Sequence, residues 1–189
     1  MSTILTNGIV LRCQPHKDYD GEYFIYTSDL GKIMAIATGA KRPVSKMNPH
    51  LSQLAEVELM IAHGEVYERL ASVRIKTGYR RISGNLTAMA VASYFLEVAD
   101  VLIRFNYPDQ EVFELLKSFL SELDGAKSNE EYLLILNRHL FELLKVLGYE
   151  PSISAKNQRQ LLRDLNRLAG ETAERKINSF DFLERLIFS

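Results

Sequence analysis

In residues 56–61, Glu-Val-Glu-Leu-Met-Ile, the branched apolar side chains occupy every second position. This period of two places Val57, Leu59 and Ile61 on one face of a β-strand. Residues 73–76 repeat the alternation, and the runs 23–27 and 32–37 flank a turn of Asp-Leu-Gly. The spacing predicts about five short strands in the first 80 or so residues, and such compact strands favour a small closed barrel over an open sheet.

Beyond Ser83 the apolar pattern becomes helical, and residues 86–102 are apolar on nearly all sides, as in a buried central helix. Asp109 and Ser128, the latter with Glu131 in a capping box, mark helix starts, and Gly148 marks a helix end. The predicted helices lie around 83–102, 109–123, 128–148, 157–168 and 179–188. The sequence therefore predicts an α+β protein, with a barrel over residues 1–81 and an all-α domain over 82–189.

The composition argues against several function classes. The chain has one cysteine, Cys13, and four scattered histidines, so neither a disulfide nor a spaced set of metal ligands is expected. None of the usual nucleophile, phosphate-loop or metalloprotease motifs occurs. We expect a cytoplasmic protein that is not an enzyme, has no cofactor, metal or catalytic residue, and has no membrane partner.

Basic residues are concentrated in the predicted barrel. Residues 1–81 carry 11 Lys and Arg against 8 Asp and Glu, a net charge of +3. No acidic residue lies between Asp29 and Glu56, and a second acid-free stretch begins at Arg69. The basic residues of the two stretches are Lys32, Lys41, Arg42 and Lys46, then Arg69, Arg74, Lys76, Arg80 and Arg81. Two interpretations stay open, an ordinary solvated surface and a phosphate-binding surface.

Aromatic residues in the barrel could stack on bases. The candidates are Tyr19, Tyr23, Phe24, Tyr26, Tyr67 and Tyr79. Because side chains alternate along a strand, Tyr23 and Phe24 must lie on opposite faces, so at least one of them belongs to the core. The sequence does not indicate which one.

Several stretches resemble the RecO family of bacterial recombination mediators. They are Gly-Ile-Val-Leu-Arg at 8–12, Thr-Ser-Asp-Leu-Gly-Lys-Ile-Met-Ala-Ile-Ala-Thr-Gly at 27–39, Ala-Lys-Arg-Pro-Val-Ser-Lys at 40–46, and Leu-Leu-Lys-Val-Leu-Gly-Tyr-Glu-Pro at 143–151. The resemblance implies an amino-terminal OB-fold barrel and a helical domain. It also implies binding to single- and double-stranded DNA, strand annealing, and recombinase loading with RecR and the single-stranded DNA-binding protein.

Residue by residue, the resemblance gives a DNA-facing role to Arg12, Lys32, Lys41, Arg42 and Lys46. To these we add the second basic stretch, so the predicted DNA-binding set also contains Arg74, Lys76, Arg80 and Arg81. One feature departs from the family. Many members carry a four-cysteine zinc module after the Gly-Tyr-x-Pro segment, whereas here Pro151 is followed by Ser-Ile-Ser-Ala-Lys.

The resemblance also predicts that the helical domain binds the acidic, apolar C-terminal tail of the single-stranded DNA-binding protein. The candidate residues are Arg104, Lys117, Arg138, Phe141 and Lys145. Arg138 and Lys145 lie seven residues apart and therefore share a helix face with Leu134 and Phe141, while an ordinary helix surface is the alternative. For the whole protein, the alternative function is a non-enzymatic adapter whose basic barrel loop binds acidic partner tails.

Overall fold

The computed structural model describes residues 3–17, 19–40, 51, 54–64, 67–151 and 153–188. Within these ranges, the amino-terminal part contains five strands: β1 (Thr3–Pro15), β2 (Gly21–Thr27), β3 (Gly31–Ala37), β4 (Ala55–Ala62) and β5 (Glu68–Gly78). The predicted number of strands is therefore confirmed.

The strands pair in the order β1-β2-β3-β5-β4 and form a closed barrel. β1 is antiparallel to β4 along its first half and to β2 along its second half, with an irregularity between Val10 and Arg12. β3 and β5 close the barrel by a short parallel pairing at Ala35 and Ile36. This five-stranded arrangement is an OB-fold, which confirms the predicted fold class.

The alternation at residues 56–61 has the predicted effect on packing. Val57, Leu59 and Ile61 are buried in the hydrophobic core of the barrel, together with Ile25 of β2 and Ile33 of β3. The interior is therefore filled by side chains and is not a channel.

By their contacts, the residues fall into two compact units. The first unit contains Met1–Gly78 and Arg104–Phe113, and the second contains Tyr79–Ile103 and Glu114–Ser189. The backbone N–H of Asn106 donates to the carbonyl of Lys32 at 2.9 Å. The hydroxyl of Tyr26 accepts from the N–H of Asp109 at 3.0 Å and donates to its carbonyl at 3.1 Å. Burial raises the pKa of Tyr26 to about 12, so it remains a donor near neutral pH. That residues 82–189 act as one partner-docking domain stays a prediction.

The helices in the described residues are α1 (Arg80–Ser83), α2 (Leu86–Leu102), α3 (Gln110–Gly125), α4 (Asn129–Val146), α5 (Gln158–Thr172) and α6 (Phe180–Ile187). The predicted caps are confirmed for two helices. Asp109 accepts from the N–H groups of Glu111 and Val112, and Ser128 accepts from that of Glu131. Gly148 follows α4 with a φ of 88°. No helix in these ranges is both long and apolar enough to cross a membrane.

Glu97 of α2 fixes the start of α6. Its carboxylate accepts from the backbone N–H groups of Asn178 and Ser179 and from the Ser179 hydroxyl. Burial raises the pKa of Glu97, but these hydrogen bonds outweigh burial and leave the pKa below its ordinary value. The carboxylate thus takes the place of a capping side chain, since Ser179 makes no side-chain cap of its own.

Candidate nucleic-acid interface

The outer face of β1, β2 and β3 carries a basic residue stacked on an aromatic ring. Strand register places Arg12 opposite Phe24, and Phe24 opposite Met34. The guanidinium carbon of Arg12 lies 3.6 Å from the centre of the Phe24 ring, and its Nη1 donates to Gln14 at 2.6 Å. A guanidinium over an aromatic ring combines a cation–π contact with N–H donors of the kind that bind phosphates and base edges.

The segment that returns to the barrel adds a second ring to this face. Phe105 lies 6.1 Å from Phe24 in an edge-to-face arrangement, and 48% of its surface remains exposed. The ammonium of Lys32 lies 4.5 Å from the centre of the Phe105 ring, while Lys32 itself is only 4% exposed. Lys32 therefore contacts the ring of Phe105, and because it is buried it does not add a cation to the barrel surface.

Three connections of the barrel meet near the ends of β1 and β3. In the β1–β2 connection, His16 packs edge-on against Tyr67 of the β4–β5 connection, at 6.2 Å between ring centres. The guanidinium carbon of Arg69 lies 5.7 Å from the centre of the same Tyr67 ring. Asp20 accepts from the N–H of Gly39, which follows β3, at 2.7 Å. The predicted DNA-binding residues Lys41, Arg42 and Lys46 come next in the chain and lie outside the described residues.

Two basic residues of β5, Arg74 and Lys76, have carboxylate partners on β4. Arg74 contacts Glu58 at 2.8 Å, and Lys76 contacts Glu56, whose side chain is 2% exposed, at 3.1 Å. Arg74 and Lys76 share a strand face as the sequence predicts, but the neighbouring strand cancels their charge locally. Arg80 and Arg81 lie on α1, are exposed, and group with the second compact unit.

The structure separates the aromatic candidates. Tyr23 is buried in the barrel core and Phe24 is half-buried on the outer face, which confirms that one of the pair is a core residue. Tyr26 and Tyr79 are also buried, whereas Tyr19 is exposed. Sequence reasoning missed Phe105, because nothing in its local pattern marks residues after α2 as part of the barrel.

In the helical unit, two of the predicted partner-binding residues line a cavity of about 440 Å³ between α4 and α5. Its walls are Leu134, Ile135, Asn137, Arg138, Phe141, Glu142, Gln158 and Leu161. Arg138 pairs with Glu122 across to α3. A second cavity, of about 350 Å³, shares Leu134 and Ile135 and extends to Glu122. Leu134 is 51% exposed between the two, so together they form a groove along α4.

The structure does not bring the other predicted partner-binding residues into this groove. Lys145 contacts Glu142 at 3.8 Å and Lys117 contacts Glu114 at 3.8 Å, and neither lysine is part of the cavity walls. Arg104 is exposed and groups with the barrel unit. Among the described residues, no group of three or more His, Cys, Asp or Glu side chains is arranged to hold a metal ion.

Comparison with known proteins gives two matching families, described as recombination protein O N terminal over residues 1–79 and recombination protein O C terminal over residues 83–161. Among curated proteins, a DNA repair protein RecO from Cyanothece sp. is 30% identical over 152 residues, which cover 80% of this chain and 52% of that protein. One from Clostridium perfringens is 29% identical over 150 residues, covering 79% and 60%, and one from Geobacter metallireducens is 30% identical over 155 residues, covering 81% and 62%. The chain spans about half the length of the first of these relatives. Because the first match spans the strands of the barrel and the second spans α2 to α4, this chain belongs to the RecO family.

Proposed function

We propose that this chain is a DNA repair and recombination mediator that binds single- and double-stranded DNA through the outer face of β1–β3 and performs no catalytic chemistry. The observation that carries this proposal is the stack of Arg12 on Phe24, extended by Phe105, on the face that OB-folds use for oligonucleotides. The relatives named DNA repair protein RecO support the same function.

This face offers both parts of single-strand binding. Phe105 and, at the neighbouring β4–β5 connection, Tyr67 present rings on which bases can stack, at roughly 1–3 kcal/mol per base, while Phe24 supports Arg12. Arg12 and Arg69 lie beside these rings and supply charge for phosphates. Because a ring stacks on any base and a phosphate is the same at every position, most of the binding energy is independent of sequence.

A salt titration with two arginine variants tests the proposal. The binding of a fluorescent oligothymidine is measured by anisotropy over a range of salt concentrations for the wild type, Arg12→Ala and Arg74→Ala. Each phosphate contact on a single strand contributes about 0.7 to the slope of log affinity against log salt. We expect Arg12→Ala to lower the slope by about this amount. Arg74→Ala, which removes an arginine of β5 that contacts Glu58 and lies outside the β1–β3 face, should leave the slope close to the wild-type value.

Two results would contradict the proposal. The first is a wild-type slope in Arg12→Ala when circular dichroism shows that this variant is folded. The second is the absence of measurable affinity for any strand at low salt. Affinity for acidic peptides without affinity for DNA would instead support the adapter function.

We propose further that the chain promotes annealing and loads recombinase together with RecR and the single-stranded DNA-binding protein. The groove along α4 is the proposed docking site for the acidic, apolar tail of the latter. Leu134 and Phe141 supply apolar walls and Arg138 supplies a cation. Because Arg138 is paired with Glu122, a tail carboxylate must replace Glu122 when it binds.

This exchange gives a signed test with a labelled tail peptide. Arg138→Ala and Leu134→Asp should weaken binding, whereas Glu122→Gln should strengthen it by releasing Arg138. Lys117→Ala is the matched control, because it removes a lysine that pairs with Glu114 outside the cavity walls. A tail peptide with no affinity for the wild type, or an unchanged affinity in Glu122→Gln and Arg138→Ala, would exclude this groove.

A further inference from the structure

A cavity of about 260 Å³ opens beside the aromatic face of the barrel. Its walls come from β3, the β4–β5 connection, the start of β5 and the returning segment. They consist of Ile33, Met34, Gly64, Tyr67, Glu68, Phe105 and Asn106. All of these residues belong to the barrel unit. The cavity is smaller than the roughly 300–1,000 Å³ of sites for drug-sized ligands, and its aromatic and thioether walls suit one flat ring.

Glu68 gives the cavity a specific chemistry. Its Oε1 contacts Nδ1 of His63 at 2.6 Å, while its Oε2 is buried and has no hydrogen-bond partner among the described residues. A buried acceptor without a donor is costly, and a ligand N–H would satisfy it. Asn106 adds an amide to the same walls and lies in the left-handed region with a φ of 59°.

We propose that this cavity receives one base of a bound single strand and prefers bases that carry an exocyclic amino group. The proposal rests on the DNA-binding function proposed above. The amino group of cytosine donates to a carboxylate, whereas thymine presents a carbonyl oxygen at the same ring position and would face Oε2 with like partial charge. Tyr67 and Phe105 hold the ring, and Glu68 distinguishes its edge.

The test compares oligodeoxycytidine with oligothymidine of equal length, since both are pyrimidine strands. The readout is the ratio of the two affinities, measured by anisotropy for the wild type and Glu68→Gln. A glutamine can offer either an oxygen or an amino group, so it removes the distinction while preserving the shape of the side chain. We expect the ratio of cytidine to thymidine affinity to fall about tenfold in Glu68→Gln, the value of one hydrogen bond to a charged acceptor.

Two controls separate this effect from charge and from general stacking. Glu58→Gln also removes one negative charge but lies on the Arg74 side of the barrel, so it should leave the ratio unchanged. Phe105→Leu should weaken binding to both strands. Tyr107→Ala, which alters an aromatic residue 70% exposed on the same segment but outside the cavity walls, should weaken it less.

The failures of the two proposals are distinguishable. If the wild type binds both strands and Glu68→Gln keeps the wild-type ratio, the base-binding cavity is refuted while DNA binding stands. If the wild type binds neither strand at low salt, DNA binding itself is refuted, and the cavity proposal is overturned with it.

Discussion

Replacing Gly31 by alanine should detach the returning segment from the barrel. Gly31 begins β3 with a φ of 68°, in the left-handed region, and an added Cβ would overlap the backbone carbonyl of Tyr107. Any side chain at this position therefore meets both a strained backbone and a steric clash. Because Phe105 is held by the same segment, the change also removes a ring of the proposed DNA-binding face.

The magnitude follows from two separate contributions. Forcing a non-glycine residue into the left-handed region costs about 1–2 kcal/mol. Overpacking against a fixed backbone costs a further 1–3 kcal/mol or so, unless the segment moves away and loses the hydrogen bond from Asn106 to Lys32. We expect Gly31→Ala to lower the free energy of unfolding by about 3 kcal/mol.

Two other glycines isolate these contributions. Gly148 has a φ of 88° but nothing within 4 Å of an added Cβ, so Gly148→Ala should show the backbone cost alone, about 1–2 kcal/mol. At Gly125 there is neither a left-handed backbone nor a neighbour within 4 Å, so Gly125→Ala should be neutral or stabilising by up to roughly 1 kcal/mol.

Urea titrations followed by circular dichroism measure the three free energies, and amide hydrogen exchange reports the segment directly. In Gly31→Ala the N–H of Asn106 should lose its protection, because its acceptor is the carbonyl of Lys32. A Gly31→Ala variant that costs no more than Gly148→Ala and keeps Asn106 protected would refute the packing of this segment on β3.

Three more predictions concern charge, pH and metal. Replacing Lys41, Arg42 and Lys46 together by alanine should lower the salt slope for single strands by about 2 with little change in stability, and a wild-type slope in the folded variant would favour the adapter function. Burial lowers the pKa of His139 below its ordinary value, so the neutral imidazole stabilises the fold. The free energy of unfolding should be complete above pH 6.5 and decline by at most about 1.4 kcal/mol per pH unit as the pH falls toward 5. A His139→Gln variant with an equally steep decline in urea titrations would contradict this. Chelators should leave the fold and DNA binding unchanged and elemental analysis should find no zinc, since Cys13 has no second thiol, whereas one tightly bound zinc per chain would overturn the prediction.

Local patterns in the sequence were sufficient to predict most of the secondary structure. The period of two at Val57 to Ile61 and the caps at Asp109 and Ser128 depend on near neighbours, and the structure confirms them. The resemblance added the OB-fold, which alternation alone does not specify.

Features that depend on contacts between distant residues were not predicted. The return of residues 104–113 depends on the space above Gly31 and on the Tyr26 hydroxyl, neither of which leaves a pattern near Phe105. Lys32 occupies an outward position on β3, so the sequence suggests a surface cation, but the returning segment covers it. The cavity beside Glu68 has the same origin, because Phe105 and Asn106 form one of its walls.

The acid-free stretch after Arg69 shows why runs of charge in a sequence overstate the field of a barrel. Register between β4 and β5 places Glu58 opposite Arg74, and Glu56 reaches Lys76, so two of the predicted DNA-binding cations meet carboxylates from the neighbouring strand. Such pairs leave little net field at the surface. By contrast, Arg12 and Arg69 each lie over a half-buried aromatic ring of the barrel, Phe24 and Tyr67 respectively. Their positions couple phosphate neutralisation to base stacking. Removing the ring at Phe24 or Tyr67 should therefore also move the neighbouring arginine and lower the salt slope, which would not happen if the ring and the arginine contributed independently to binding.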